Sequence, residues 1–279
     1  MSTTIRPTVA LTRFAGRAGD HNNHAMPASG LLADVLAERL DAAITTVGEP
    51  APALSTTWDV ELAAALPDLR AMAERYRRVF ADGAVPVSAM NRCAVALSTL
   101  PVVAAHRPDA VVVWFDAHAD LNTPEDTGTG YLGGLAYSGP LGLWDSGLGA
   151  GLAAGNAVLV GARDIDPPEQ EILDAGTVAW VPVGPEMPGE LRRVVAGRPV
   201  YVHIDCDVLD GGTVPTDYHV TGGMTLDQLH ACAAALAESE IVGLEVGELE
   251  VGELGADDRG HEPARLVVGA LEPILARLS

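Results

Sequence analysis

Apolar residues along this chain fall into short β-branched runs that alternate with longer amphipathic stretches. The short runs predict eight strands, at residues 9–12, 44–47, 85–88, 110–115, 157–161, 178–181, 200–204 and 241–246. The amphipathic stretches predict helices at residues 31–42, 59–80, 93–106, 169–175, 188–195, 226–239 and 263–278. Several runs, such as AVVVWF at 110–115, are apolar at every position, which is typical of strands covered by helices on both faces.

The alternation of strands and helices predicts an α/β fold, a three-layer α/β/α sandwich around a mostly parallel sheet of roughly eight strands. The chain contains no Ser/Pro-rich linker and no internal repeat. Residues 1–279 are therefore predicted to form a single domain.

Composition narrows the function classes. Among 279 residues, 38 are acidic and 17 are basic, which gives a net charge of −21, and every basic residue is Arg. A chain this acidic lacks the basic surface that nucleic-acid binding requires. No stretch offers the ~20 apolar residues of a membrane span and the N-terminus has no signal-peptide pattern, so we expect a soluble, cytoplasmic protein. Cys93, Cys206 and Cys232 lack CxxC spacing, which argues against a disulfide framework or a cysteine-based zinc site.

Two predicted strands end in clusters of acidic groups. The run VVVWF leads into Asp116, His118 and Asp120, and the run VYVHI leads into Asp205 and Asp207. Because parallel strands bind ligands at their carboxyl ends, we expect these side chains to share a small volume. Carboxylates packed so closely repel one another unless a cation lies between them. Oxygen ligands with one imidazole suit Mn²⁺ or Mg²⁺, and two such ions about 3.5–4 Å apart would activate a bridging hydroxide for attack on carbon.

The segments WFDAHADLNTPEDTGTG and HIDCDVLD resemble the arginase–agmatinase–formiminoglutamase (ureohydrolase) superfamily, and the resemblance covers nearly the whole chain. Members of this superfamily hydrolyse guanidino or amidino groups on a three-layer α/β/α fold with a binuclear manganese site. The resemblance implies two Mn²⁺ ions bound by Asp116, His118, Asp120, Asp205 and Asp207. It also implies a catalytic role for Asp120, which would orient the metal-bridging hydroxide.

Further matches to the family imply a substrate with an amino-acid head group. Asn122 and Thr129 match the family residues that bind a substrate α-carboxylate, and Asp166 and Glu169, in GARDIDPPE, match those that hold the α-amino group. Glu248, in GLEVGELE, matches the catalytic carboxylate that binds the guanidinium group, and carboxylates pair naturally with planar guanidinium groups. The expected partner is a small guanidino amino acid.

Two segments depart from the family pattern. Where arginases carry GGDHS, whose His completes one metal site, this chain has SAMNR, so Asn91 is expected to be a weaker metal ligand and to hold the nearest ion more loosely. Where arginases carry a GNLHG-like stretch, whose His passes a proton to the leaving amine, this chain has GYLGG, and Gly133 cannot carry a proton. Tyr218 or His219 is a candidate replacement, with an ordinary loop role as the alternative.

These departures, beside an intact head-group clamp, favour N-omega-hydroxy-L-arginine as the substrate, with hydroxyurea and L-ornithine as products. An N-hydroxyguanidine is less basic and more electrophilic than a guanidinium group, so its hydrolysis needs less acid catalysis. The combination resembles the family members of antibiotic biosynthesis. Two alternatives stay open: an arginase or other guanidino-acid hydrolase that releases urea, and a non-catalytic binder of an arginine-like ligand. Family members are often trimers or hexamers, so the resemblance also allows a homo-oligomer.

Overall fold

In the computed structural model, which describes residues 8–251 and 261–279, the chain alternates strands and helices. The strands are β1 (Val9–Phe14), β2 (Ile44–Val47), β3 (Val85–Ala89), β4 (Val111–Phe115), β5 (Ala157–Val160), β6 (Ala179–Val181), β7 (Val200–Asp205) and β8 (Ile241–Gly247). The helices are α1 (Ala25–Leu40), α2 (Trp58–Ala81), α3 (Ala96–His106), α4 (Pro167–Asp174), α5 (Met187–Val195), α6 (Leu226–Leu236), α7 (His261–Ala270) and α8 (Glu272–Leu278).

The strands form one eight-stranded sheet in the order β2-β1-β3-β8-β7-β4-β5-β6. Every pair of neighbouring strands is parallel, so all carboxyl ends lie at the same edge of the sheet. The predicted number of strands and their parallel arrangement are confirmed. The four central strands, β3, β8, β7 and β4, are the ones whose carboxyl ends carry the acidic motifs and their neighbours.

Helices cover both faces of the sheet and produce two cores. In β4, Val111, Val113 and Phe115 point into one core, and Val112 and Trp114 point into the other. The first core receives apolar side chains from α1, α5, α6, α7 and α8, and the second receives them from α2, α3 and α4. This arrangement confirms the predicted three-layer sandwich and explains why several strands, such as β4 and β5, are apolar at every position.

The helices differ most from the sequence prediction at two places, with shifts of three residues or fewer elsewhere. Helix α1 begins at Ala25 rather than at residue 31, because Pro27 falls in its first turn, where a helix tolerates proline. Gly30 lies against the guanidinium of Arg13, where a Cβ would approach the Arg13 Cζ to 3.0 Å. The stretch predicted as one helix at residues 263–278 is divided into α7 and α8 around Leu271, with Pro273 in the first turn of α8. Among the helices of the described ranges, none has the length and apolar character to cross a bilayer.

Candidate active site

Residues that follow the central strands line a cavity of about 150 Å³ at the carboxyl edge of the sheet. Nine residues that the sequence assigned to the site line this cavity: His118, Asp120, Asn122, Thr129, Asp166, Glu169, Asp205, Asp207 and Glu248. Asp116 lies behind His118, with its Oδ1 3.3 Å from the His118 Nδ1. The fold therefore gathers side chains that are far apart in the sequence into one small volume.

One part of the cavity is an acidic floor, which we define as Asp116, His118, Asp120, Asp205 and Asp207. Ligand atoms of Asp116, His118 and Asp207 lie within 4.8 Å of one another. Burial, reinforced by neighbouring carboxylates, raises the pKa of Asp116, Asp120 and Asp205. Burial also acts to raise the pKa of Asp207, but the hydrogen bond and charge of His118 bring it below its usual value. The floor thus concentrates negative charge away from water.

The two residues that the sequence assigned to catalysis share a strained backbone conformation. Asp120 has φ 53° and Glu248 has φ 60°, both in the left-handed region. Three other described non-glycine residues have positive φ: Asp41 and Ala196 follow the last turns of helices, where this conformation is common, and Ser55 lies in an exposed loop. At Asp120 and Glu248 no helix end explains it, and such strain costs about 1–3 kcal/mol and is concentrated at functional sites. The amide of Glu248 donates to the carbonyl oxygen of Asn91 at 3.0 Å, which holds the turn in place.

The predicted head-group residues form a connected group at the cavity. The Asn122 Nδ2 donates to the Asp166 Oδ2 at 2.9 Å, and the Asn122 Oδ1 is buried without a hydrogen-bond partner. Glu169 accepts from the backbone N–H groups of Leu121 and Asp166, each at 2.9 Å, and so closes a capping box at the start of α4. Burial raises the pKa of Glu169 to about 7. Glu169 therefore joins α4 to the loop after β4, while Asn122 keeps a free acceptor in the cavity.

Glu248 belongs to a buried charge cluster, which we define as Arg92 with Asp20, Glu248 and Glu250. The fully buried Arg92 donates to the Glu248 Oε2 at 2.7 Å and to the Glu250 Oε1 at 2.8 Å. Its Nε donates to the Asp20 Oδ1 at 3.2 Å. The Cys93 backbone N–H donates to the other Glu248 oxygen at 2.7 Å. Burial raises the pKa of Glu248 to about 7, although the charge of Arg92 acts to lower it.

Cys93 lies among the predicted metal ligands, a position that the sequence analysis did not assign to it. Its Sγ donates to the Asp205 Oδ2 at 3.2 Å. The Sγ and one oxygen atom each of Asp116 and Asp120 lie within 4.8 Å of one another, and so do the Sγ and one oxygen atom each of Asp205 and Glu248. Its Sγ is also 3.2 Å from the His203 Nε2. Moving the comparison of SAMNR with GGDHS by two residues would have placed Cys93, not Asn91, at the position of the His.

Asn91 faces a different part of the structure. Its Nδ2 donates to the carbonyl oxygen of Gly16 at 3.0 Å and to both carboxylate oxygens of Asp20, at 3.1 and 3.0 Å. Its Oδ1 is buried without a hydrogen-bond partner. Asn91 is outside the set of described residues that line the cavity, so its role as a ligand stays a prediction.

Comparison with known proteins agrees with this geometry. The sequence model of the Arginase family matches residues 39–252. The chain belongs to the arginase family. It is 42% identical to the N(omega)-hydroxy-L-arginine amidinohydrolase of Streptomyces lavendulae, over 84% of this chain and 85% of that protein. It is 28% identical to the arginase of Glaciozyma antarctica, over 89% of this chain and 84% of that protein.

The fold of the arginase family is also found in solved structures. The arginase of Entamoeba histolytica, solved in complex with L-ornithine, superposes with a TM-score of 0.83, covering 96% of this chain and 99% of that chain at 17% identity. This likeness bears on the fold alone. Membership of the arginase family, with an amidinohydrolase relative at 42% identity, makes the chain a hydrolase of amidine C–N bonds.

Arginase-family enzymes are typically dependent on a binuclear metal centre, and the residues at the cavity fit such a centre. Three overlapping groups of buried or half-buried ligand atoms lie within 4.8 Å, and they combine carboxylate oxygens, one imidazole and one thiol. Carboxylates whose pKa values are raised by mutual repulsion and burial are stabilised by a divalent cation.

Proposed function

We propose that this chain hydrolyses N-omega-hydroxy-L-arginine to hydroxyurea and L-ornithine in a manganese-dependent reaction. The Streptomyces lavendulae relative at 42% identity is named for that substrate, which supports the proposal. The acidic floor and the head-group residues are the parts of the cavity that such a substrate would use.

The ion pair between Arg92 and Glu248 is the observation that carries this proposal. An alkylguanidinium is a cation at every physiological pH, because its pKa is about 12.5 or above. Glu248 already pairs with the buried Arg92 guanidinium at 2.7 Å, so a second guanidinium at Glu248 would lie close to the Arg92 cation. Like charges at close range in a buried site disfavour each other. A less basic N-hydroxyguanidine in its neutral form avoids that repulsion and still accepts and donates hydrogen bonds.

For the metal centre we propose a ligand set in which Cys93 takes the place that the sequence assigned to Asn91. The proposed ligands are Cys93, Asp116, His118, Asp120, Asp205 and Asp207. Two bound Mn²⁺ ions would supply Lewis acidity, which makes water a nucleophile at neutral pH. A thiolate is a softer ligand than imidazole, so we expect the two ions to be held with unequal affinity, the one beside Cys93 differing from its neighbour.

The remaining residues would bind and orient the substrate. Glu248 would accept hydrogen bonds from the N–H groups of the guanidine, and Asp120 would accept one from the attacking water. Asn122, Thr129 and Asp166 would hold the amino-acid head group through their oxygen atoms, with Glu169 fixing the start of α4 behind them. The strained backbone at Asp120 and Glu248 supports this assignment, since strain of this kind fixes the direction of a reacting side chain.

A product assay on manganese-loaded protein, with N-omega-hydroxy-L-arginine and L-arginine in parallel, tests the proposal. We expect hydroxyurea from the first and little urea from the second. Urea from arginine at the higher rate would favour the arginase alternative, and bound manganese without hydrolysis of any guanidino or amidino compound would favour a non-catalytic binder.

A further inference from the structure

Tyr131 carries a hydroxyl group that the protein leaves without a partner. The residue lines the cavity, and its hydroxyl oxygen is buried with no hydrogen bond. Four buried side-chain polar atoms of the described residues lack a partner, and the other three are acceptors on Glu61, Asn91 and Asn122. Among these four atoms of the described residues, the Tyr131 hydroxyl is therefore the one that can donate a hydrogen bond. A buried hydroxyl without a partner destabilises the folded protein, so its presence at the cavity indicates a partner that the protein itself does not supply.

The position of the Tyr131 ring is fixed by its surroundings. The ring lies 4.2 Å from that of His21, centroid to centroid, and the Tyr131 backbone N–H donates to the Thr129 Oγ1 at 3.2 Å. The end of the phenol packs over Gly133, where a Cβ would lie 2.7 Å from the Tyr131 Cζ and 3.0 Å from its hydroxyl oxygen. Any side chain at residue 133 would collide with the phenol. The glycine at 133 and the tyrosine at 131 are thus two parts of one packing arrangement.

Hydrolysis of a guanidine requires a proton for the amine that leaves. Several proton-bearing or basic side chains at the cavity already have partners: Cys93 donates to Asp205, and the Asn122 amide donates to Asp166. His118 contacts Asp116 and Asp207, and Glu248 accepts from Arg92. The Tyr131 hydroxyl is a proton carrier with no such commitment, and it faces the same cavity as Glu248 and Asp120.

We propose that Tyr131 is a catalytic residue whose hydroxyl relays a proton to the leaving amine, an inference that rests on the proposed hydrolysis. The oxygen of water bonds to the guanidine carbon, and the bond from that carbon to the δ-nitrogen breaks, with its electron pair going to nitrogen. Tyr131 gives its proton to that nitrogen and takes one from the added oxygen, which becomes the carbonyl oxygen of the urea product. One water is consumed, the free amine of ornithine is released, and Tyr131 ends the cycle with its hydroxyl restored.

The variant Tyr131→Phe in the manganese-loaded enzyme tests this relay, because it removes only the hydroxyl. We expect kcat to fall about 10²–10⁴-fold, as for loss of a general acid, with KM and bound manganese within about twofold of wild type. The temperature of unfolding should not fall, since no protein hydrogen bond is lost. A kcat within about threefold of wild type would overturn the proposal, as would a larger loss in Tyr218→Phe than in Tyr131→Phe.

Tyr137→Phe is the matched control. The Tyr137 hydroxyl is buried outside the cavity lining, donates to the carbonyl oxygen of Val112 at 3.2 Å and accepts from the N–H of Val158 at 3.1 Å. Its removal should lower the unfolding temperature and leave kcat unchanged, the reverse of Tyr131→Phe. Gly133→Ala is a second variant: with manganese content and fold retained, it should lower kcat by displacing the phenol. Unchanged kcat in folded Gly133→Ala would contradict the packing on which the proposal depends.

The outcome for Tyr131 is separable from the outcome for the proposed substrate. If wild-type protein makes no hydroxyurea but hydrolyses another guanidino acid, the substrate proposal fails, and the Tyr131→Phe test is made on that compound. Every guanidino acid releases an amine that needs a proton, so the expected loss in kcat is the same.

Discussion

The acidic floor and the buried charge cluster meet at one cavity and both contain more carboxylates than cationic groups, but of the two only the cluster holds a fixed guanidinium. The floor holds four carboxylates, and His118 contacts two of them, Asp116 and Asp207. Burial raises the pKa of Asp116, Asp120 and Asp205. In the charge cluster, the guanidinium of Arg92 bonds directly to all three carboxylates. The fixed Arg92 charge beside Glu248 disfavours a second cationic group there, whereas the floor carboxylates favour metal ions. The difference supports the proposal that metal ions bind at the floor and that the guanidine beside Glu248 is weakly basic.

The largest expected effect is that of removing metal from the floor. Chelation should abolish hydrolysis, and the free energy of unfolding of the metal-free protein should fall as pH rises above about 4. Asp116, Asp120 and Asp205 have pKa values raised by folding, so the unfolded chain ionises first and gains stability relative to the folded one. Denaturant unfolding at several pH values, with and without Mn²⁺, measures this. Metal-free protein that is equally stable at pH 5 and pH 8 would contradict the floor's need for cations.

The next largest effect is expected from removing the guanidinium of the charge cluster. Arg92→Met leaves Asp20, Glu248 and Glu250 buried without their cation, and we expect a loss of about 3–5 kcal/mol in the free energy of unfolding. Arg107→Met is the matched control, since Arg107 pairs with the exposed Asp109 and Glu240 and should cost about 1 kcal/mol or less. Equal losses in the two variants would show that Arg92 stabilises the buried cluster no more than Arg107 stabilises its exposed partners.

Glu248→Gln tests whether the carboxylate paired with Arg92 binds the substrate. The amide keeps the shape and loses the charge, and we expect kcat/KM to fall by at least about 10²-fold, the scale of losing a positioned electrostatic contact. Manganese content should be retained. Activity near the wild-type level would remove Glu248 from the proposed site.

Cys93→Ala and Asn91→Ala together sharpen the description of the floor. Removing a residue that only hydrogen-bonds to a metal ligand lowers metal affinity about 10–100-fold. Removing Cys93, a proposed ligand itself, should lower the affinity for one Mn²⁺ by at least as much. Asn91→Ala should have the smaller effect, because its amide faces Asp20 and Gly16. Manganese per chain across a dialysis series measures both. The reverse order would restore Asn91 as the ligand.

Asn122→Ala should give the smallest effect. The variant lacks the Asn122 Oδ1, which has no partner within the protein, so the substrate head group would lose one hydrogen bond. We expect KM to rise about tenfold, with kcat within about twofold of wild type. Steady-state kinetics on N-omega-hydroxy-L-arginine measures it, and an unchanged KM would mean that the head group binds elsewhere.

The fold and the floor are readable from sequence because both depend on local patterns. Eight apolar runs predicted eight parallel strands, and the motifs after β4 and β7 place Asp116, His118, Asp205 and Asp207 with fixed spacing at strand ends. Side chains that directly follow a strand have little freedom in where they point, so a motif there predicts position as well as chemistry.

The rest of the site depends on contacts between distant segments. A backbone bond from the Glu248 N–H to the Asn91 carbonyl oxygen joins the segment after β3 to the segment after β8. No local pattern predicts this bond, so the sequence alone does not decide between Asn91 and Cys93 as the metal ligand. The ion pair between Arg92 and Glu248 joins residues that are 156 positions apart in the sequence. The absence of a side chain at Gly133 was visible, but the phenol of Tyr131 that covers it was not, because only packing brings the two together.

A competition experiment is the most direct test of the proposed substrate. Equal concentrations of N-omega-hydroxy-L-arginine and L-arginine are given to the manganese-loaded protein in one tube, and the ratio of hydroxyurea to urea at early times reports the ratio of the two kcat/KM values. We expect a large excess of hydroxyurea, because the Arg92 guanidinium beside Glu248 disfavours a second cationic guanidinium more than a neutral N-hydroxyguanidine. Equal yields, or an excess of urea, would contradict it.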